Sequence, residues 1–413
     1  MKTAVIAIGD ELLLGQVIDT NSGAIARMID PAGWSLEWVK VIHDDAEAIT
    51  SAVDEAFRAA DVVLTTGGLG PTKDDITKLT LCRYFGGELR HDETVLDNIK
   101  EVFAKRGIQL NPLTEAQALV PTSCRVIQNR VGTAPIMWFE RTDGKVLVSM
   151  PGVPFETLQM FQSEVFPQLL KKYHSDTHIS HRCVIVEGLT ESKVAMQLDE
   201  WEEALPDFVH LAYLPKPGII RLRLDGHNTD RALLESTLDR LHAQLCNRFA
   251  DHLLADSDMT PEESLLQRLR AKGLNVATAE SCTGGNIAHR ITAIAGCSDC
   301  YFGSVVSYDN SVKTNLLNVD PAAIETHGAV SEEVASQMAE GVRKAIGTDC
   351  AIATSGIAGP SGATPGKPVG TVCIAIATPE RTVAATYHFP GTRDRVIDRA
   401  STTALTLLAM ALR

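Results

Sequence analysis

The chemistry-bearing residues of this 413-residue chain gather in loops that follow β-branched runs. The loop 280–285 reads Glu-Ser-Cys-Thr-Gly-Gly and sets the Ser281 hydroxyl between a strand and a helix start, where backbone N–H groups face a negative oxygen. Spacing alone reads equally well as capping by Ser281 and Thr283, with Gly284 and Gly285 easing close packing. The loop is not the GxSxG elbow. Tyr308 and Lys313 follow a strand over 303–307, and a lysine desolvated at that sheet edge becomes a base for a serine hydroxyl. Taken alone, a lysine is more often solvated at the surface. A third loop, 355–362, begins Ser355-Gly356 and offers consecutive amides to a phosphate or carboxylate. Three such loops in one α/β unit are more informative than one, because ligands of these folds sit at the carboxyl edge of the sheet.

Near the N-terminus, Gly67-Gly68-Leu69-Gly70-Pro71-Thr72 follows a strand and has the makings of a phosphate cradle, with Asp75 close enough to hold a divalent cation or position water. It is neither a Walker loop nor a Rossmann fingerprint. Gly9-Asp10-Glu11 and Asp19-Thr20-Asn21 supply further oxygen ligands or simply turn and cap the chain. The histidines lack ligand spacing, and Cys297 and Cys300 form a CxxC without a second pair, so both read as ordinary loop residues.

These loops need a scaffold, and the periodicity supplies one. Strands over 3–8, 36–41, 62–65 and 146–149 alternate with helices over 22–30, 46–59 and 155–171, the rhythm of a parallel α/β sheet. A helix is expected to begin among 73–76, where Asp74 and Asp75 suit its positive end. Residues 182–249 read differently: strands at 183–187, 209–213 and 219–224, helices over 191–201 and from 230, and a turn at Pro215-Lys216-Pro217-Gly218. From 260 the α/β pattern returns, with helices over 262–272, 331–345 and 393–412 and strands at 275–279, 303–308, 350–354 and 370–377. Polar stretches at 174–181 and 255–261 divide the chain into domains 1–173, 182–254 and 260–413.

Composition bounds the function. With 45% hydrophobic and 22% charged residues the chain is neither disordered nor fibrous. A net charge of −14 disfavours nonspecific binding to nucleic acid or anionic membrane. No export signal and no apolar run of ~20 residues is evident. Nine scattered cysteines then point to reduced thiols and a cytoplasmic location.

Along nearly its whole length the chain resembles the competence/damage-inducible protein CinA family. The resemblance rests on the motif 9–16 (GDELLLGQ) with 19–22 (DTNS), on 67–77 (GGLGPTKDDIT) and on 151–154 (PGVP). Further along it rests on 280–285 (ESCTGG), Tyr308 with Lys313, 327–331 (HGAVS), 356–360 (GIAGP), 367–370 (KPVG), and Gly391 with Arg393. It implies a multidomain α/β chain: a molybdopterin-binding-like three-layer domain, a small KH-like α+β domain and a C-terminal α/β/α sandwich. For the last domain it implies a nicotinamide-nucleotide amidase that converts nicotinamide mononucleotide to nicotinic acid mononucleotide and ammonia without a cofactor. Ser281 would be the nucleophile and Lys313 the base, assisted by Tyr308 and Ser298. Thr283, Gly284, Gly285, Ser355, Gly356 and Arg393 would hold substrate. For the first domain it implies a pyrophosphatase that splits ADP-ribose with a divalent metal at Asp75, the nucleotide lying against Gly67, Gly68, Gly70, Thr72 and Asp75. It also implies a homodimer. Ile136 departs from the family pattern, where glycine is common, and a bulky side chain is expected to crowd that loop; Ile397 stands where relatives often carry arginine. The alternative is a regulatory scaffold that binds nucleotides or pterins without turning them over. The middle segment shows no GxxG loop for nucleic acid.

Overall fold

A computed structural model describes residues 1–72, 75–173 and 176–413. The chain divides into two compact units, one of residues 1–180 with 227–234 and the other of residues 181–226 with 235–413.

The N-terminal unit is built on a six-stranded sheet. Its strands are β1 (Lys2–Ile8), β2 (Ser35–Ile42), β3 (Val62–Thr66), β6 (Arg125–Ile127), β7 (Ile136–Glu140) and β8 (Val146–Met150), in the order β2-β1-β3-β8-β7-β6. The short pair β4 (Leu89–His91) and β5 (Leu119–Pro121) stands apart from it. The strands from β2 through β8 run parallel, while β7 and β6 are antiparallel. Strands β1, β3 and β8 read as near-continuous apolar runs because both faces are covered: Ile6, Val63 and Leu147 pack into one cluster, Val5, Leu64 and Val148 into the other. Ile136 is fully buried in the second cluster and is not among the residues that line the neighbouring cleft, whereas Thr133 and Ala134 are.

The second unit carries two sheets. Strands β9 (His178–Glu187), β10 (Val209–Lys216), β11 (Ile219–Asn228) and β12 (Leu253–Ala255) form one in the order β10-β11-β9-β12. Its Ile185, Ile219 and Leu254 share a hydrophobic cluster with Leu265, Leu405 and Leu408 from further along the chain. That shared core is why residues expected to form a domain of their own mostly group with the C-terminal segment. The other sheet joins β13 (Val276–Glu280), β14 (Tyr301–Val306), β15 (Cys350–Gly356), β16 (Thr371–Ala377) and β17 (Thr382–His388) in the order β14-β13-β15-β16-β17. Strands β14, β13 and β15 are parallel and the last two antiparallel. The helices Pro261–Lys272, Asn286–Thr292 and Arg393–Ala411 contribute to one core cluster, and Glu332–Ile346 contributes to the other. Among the described residues, no helix is long and apolar enough to cross a membrane.

Candidate functional site

Parallel β13 and β14 end together, Glu280 opposite Val306, so the chain leaves both at the same sheet edge. Ser281 N donates to Thr354 O (2.9 Å), and Ser307 N donates to Glu280 O (2.8 Å), which continues the ladder one residue beyond the strands. Lys313 lies on the helix Asn310–Leu317 and is 1% exposed. Its Nζ donates to the carbonyls of Ser307 (2.8 Å) and Tyr308 (3.1 Å). The amine therefore sits at the end of β14, the strand paired with the one that leads into Ser281, and burial there lowers its pKa from the ordinary 10.5. The opposing influence of Asp309 and of the Cys282 thiol is smaller. Cys282, next to Ser281, is itself no nucleophile: burial pushes its thiol up to about 12, so it stays protonated.

Glu280 explains the shape of the loop. It is fully buried, and its carboxylate accepts from Thr283 Oγ1 (2.8 Å), Gly285 N (3.1 Å), Ile287 N (3.0 Å) and Ala288 N (2.8 Å). One carboxylate thus satisfies the orphan amides that open the helix Asn286–Thr292. This corrects two expectations. The helix-start amides face the chain's own anion, and Thr283 and Gly285 spend their donors on Glu280. Gly284 N turns back to Ser281 O (3.1 Å). Among the described residues, the amides of Cys282 and Thr283 donate to no backbone carbonyl, the Cys282 amide facing its own thiol, and they directly follow the serine.

Arg393 brings the remaining loops together. Its guanidinium donates to Tyr308 Oη (3.2 Å) and Gly359 O (2.9 Å), joining the end of β14 to the 356–360 loop. Ser355 is buried and donates to Ala329 O (2.6 Å), so it ties the 327–331 loop to β15; Gly356 ends that strand, pressed against β16. Ser298 is not brought in. It sits in the turn Cys297–Asp299 at the amino end of β14, a six-residue strand, about 16 Å, from the carboxyl edge. Ile397 packs against the core.

In the N-terminal unit a cleft of about 530 Å³ opens at the carboxyl edge of the sheet, lined among others by Glu11, Asp44, Gly67, Gly68, Gly70 and Asp75. Gly67 (φ +105°) crosses so close to β1 that a Cβ would lie 2.1 Å from Ile8 O, and at Gly68 (φ +63°) a Cβ would lie 2.9 Å from Asp44 Oδ1. Asp75, the expected metal ligand, lines this cleft and also holds the glycine loop. It accepts from Gly70 N (2.7 Å), Thr72 N (3.0 Å) and the Thr72 hydroxyl, and so clamps the glycine loop shut. Asp74 and Lys73 lie outside the described residues, and the helix there begins at Thr77. Asp19 accepts from Ser22 N (3.1 Å), the capping alternative.

The carboxylate better suited to a cation is Asp44. Its Oδ1 is buried without a partner, and burial, then the charges of Glu11 and Asp10, raise its pKa to about 6. Among the described residues no three ligating side chains converge, so an ion there would need oxygens from substrate, as magnesium commonly does. Because the folded value lies above the ordinary 3.8, ionising Asp44 opposes folding, and stability falls as pH rises from there through about 6. Asp44→Asn should therefore raise the thermal midpoint at neutral pH and leave it unchanged below the ordinary carboxylate range. Added magnesium should raise the midpoint of the intact chain but not of the variant. A neutral-pH midpoint unmoved by the substitution would contradict this.

Sequence reasoning passed over Glu280, Asp44 and Lys78. Lys78 donates to Gln117 O (3.1 Å), and burial lowers it to about 8. The signal was present for Glu280: a lone acid ending the apolar strand Val-Ala-Thr-Ala-Glu.

Two α/β units, each with its loops gathered at the carboxyl edge of a parallel segment, define a class of protein that pairs a molybdopterin-binding type of domain with a second α/β domain. Residues 4–171 match the family described as "Probable molybdopterin binding domain", and residues 258–412 match the "CinA C-terminal domain". The chain belongs to the CinA family. A CinA-like protein of Flavobacterium psychrophilum is 41% identical over 412 residues, covering 99% of this chain and 98% of that protein. One from Salinibacter ruber is 39% identical, covering 97% and 96%. A crystal structure of a CinA superfamily protein from Klebsiella pneumoniae is 35% identical, spans 37% of this chain and 95% of its own, and has a TM-score of 0.36.

Proposed function

We propose that the C-terminal domain hydrolyses a carboxamide, that of nicotinamide mononucleotide, through Ser281 and Lys313. The observation that carries this reading is a buried lysine with a lowered pKa, held one strand from a serine at a sheet edge. Neutral Lys313 takes the Ser281 proton, through one water or after a small shift, as the hydroxyl attacks the carboxamide carbon. The amides of Cys282 and Thr283 receive the oxyanion. Protonation of the nitrogen releases ammonia, and water then frees the acid from the acyl-serine. Arg393, with Tyr308 beside it, provides the charge for the substrate phosphate.

A lysine base fixes the sign of the pH dependence. Ammonia release from nicotinamide mononucleotide should rise with pH as Lys313 loses its proton and level off below 10.5. Assaying the full chain across pH checks this. An intact chain that releases no ammonia at any pH refutes the amidase reading and leaves the nucleotide- or pterin-binding scaffold in its place.

For the N-terminal cleft the reading is hydrolysis of ADP-ribose, with its phosphates against the Gly67–Gly70 amides. Asp44 and Glu11 would hold the divalent metal, which supplies charge neutralisation to the pyrophosphate when bound. Asp75 keeps the loop in shape. Both activities would act on breakdown products of a pyridine dinucleotide. Their common setting would be a cytoplasmic homodimer.

A further inference from the structure

The helix Arg393–Ala411 presents different cations on different sides, since residues two apart in a helix point roughly 200° apart. Arg393 belongs to the serine–lysine site. Arg395 and Arg399, four residues apart, instead line a separate open cleft of about 770 Å³. Its other wall is the turn between β10 and β11, Pro215-Lys216-Pro217-Gly218, and Phe389 also lines it. The turn comes close to the helix: a Cβ on Gly218 would lie 3.7 Å from Thr402 and 3.8 Å from Thr403.

The charges of this cleft are not balanced from within. Among the described residues, the side chains of Lys216 and Arg395 make no ion pair and no hydrogen bond, and Arg399 reaches only Pro390 O (3.4 Å). The two acids on the walls have other duties. Asp398 pairs with Arg290 (3.3 Å), and Asp394 stands in the first turn of the helix, where a negative charge offsets the helix dipole. Arg395 and Arg399 repel at their i,i+4 spacing unless an anion lies between them. Three cations from two elements therefore outnumber the two acids on the walls, one of which is already paired with Arg290, on a chain whose net charge is −14. Phe389, stacked on Tyr387 with ring centroids 5.9 Å apart, adds a flat apolar surface.

We propose that this cleft is a second anion site, distinct from the serine–lysine site, which binds a phosphate monoester carrying a flat ring, of the nucleoside monophosphate class. Lys216, Arg395 and Arg399 hold the phosphate, and Phe389 packs against the ring. Its volume lies in the usual range for small-molecule sites.

The test titrates AMP and inorganic phosphate separately into the full chain by calorimetry, in parallel with Lys216→Ala/Arg395→Ala/Arg399→Ala. The expected result is one AMP site fewer in the triple variant, with thermal unfolding run alongside to show that it is folded, since Arg399 is partly buried and the Arg395 stem lies against Gly391. Lys216→Glu, a single reversal at the turn, should weaken that site about tenfold or more, while Arg395→Lys/Arg399→Lys retains it. Ser281→Ala should leave the stoichiometry intact. The same number of AMP sites in the intact chain and triple variant, or no effect of Lys216→Glu, overturns the proposal. Inorganic phosphate binding there as tightly as AMP overturns the role of Phe389.

Discussion

Ser281→Ala and Lys313→Ala are each expected to lower ammonia release from nicotinamide mononucleotide by about 10³-fold or more, because nucleophile and base act as a unit and losing either removes the covalent route. The double variant should be no slower than the worse single one. Non-additivity of this kind separates a shared chemical step from two independent contributions to folding. Lys313→Arg should fail as well, since a guanidinium does not give up its proton near neutrality. Cys282→Ala should retain most of the activity, because its thiol stays protonated and buried. Ammonia assays on folded variants check all of these.

Glu280→Ala is expected to destabilise the second unit by about 3–4 kcal/mol, among the larger single-residue effects. The carboxylate is fully buried and accepts from Thr283 Oγ1 and from the amides of Gly285, Ile287 and Ala288. Removing it orphans these donors together, those of Thr283 and Ile287 in fully buried positions. Glu280→Gln keeps one accepting oxygen and should cost less, though its NH₂ group then faces amides that also donate. Chemical denaturation of both variants measures the difference. If Glu280→Ala unfolds at the denaturant concentration of the intact chain, the carboxylate is not what holds the loop. Because Ser281 is the next residue, activity should fall with the loop's order even under conditions where the variant is folded.

Both effects bear on how much the amino-acid order alone reveals. The alternation of apolar runs and amphipathic stretches located β1, β3, β8, β13 and β15 and most of the long helices, because strands covered on both faces leave unbroken Val, Ile and Ala runs. Loops following them were recognisable from small residues. Strand β17 was missed: it is an edge strand, its burial alternates irregularly, and Thr-Val-Ala-Ala-Thr-Tyr-His has no clear period. Strand β7 was missed because Ile-Met-Trp-Phe-Glu lies between turn-like segments and pairs antiparallel, against the rhythm set by the strands before it.

The sites show the same division. Ser281, Tyr308, Lys313 and Arg393 were named from residue type and motif, and Tyr308 and Arg393 meet directly. What the order of residues did not reveal is where each donor is spent. Asp75 reads as a metal ligand in one dimension, and the fold adds a second duty, because Gly70 N and Thr72 N turn back onto it. Thr283 looks like a substrate contact and instead donates to Glu280. Ser298 is near Ser281 in sequence, but a full strand length separates the turn that holds it from the carboxyl edge. Hydrogen-bond bookkeeping of this kind depends on which backbone groups a turn leaves unpaired, and that is settled only by the fold.

The most direct test of the Ser281–Lys313 account is to quench the full chain during turnover of nicotinamide mononucleotide and locate any covalent adduct by peptide mass spectrometry. An acyl group equal to substrate minus ammonia on the peptide containing Ser281, absent from Ser281→Ala, is the predicted result. Ammonia release by Ser281→Ala at the rate of the intact chain, or an adduct on a different side chain, would contradict it.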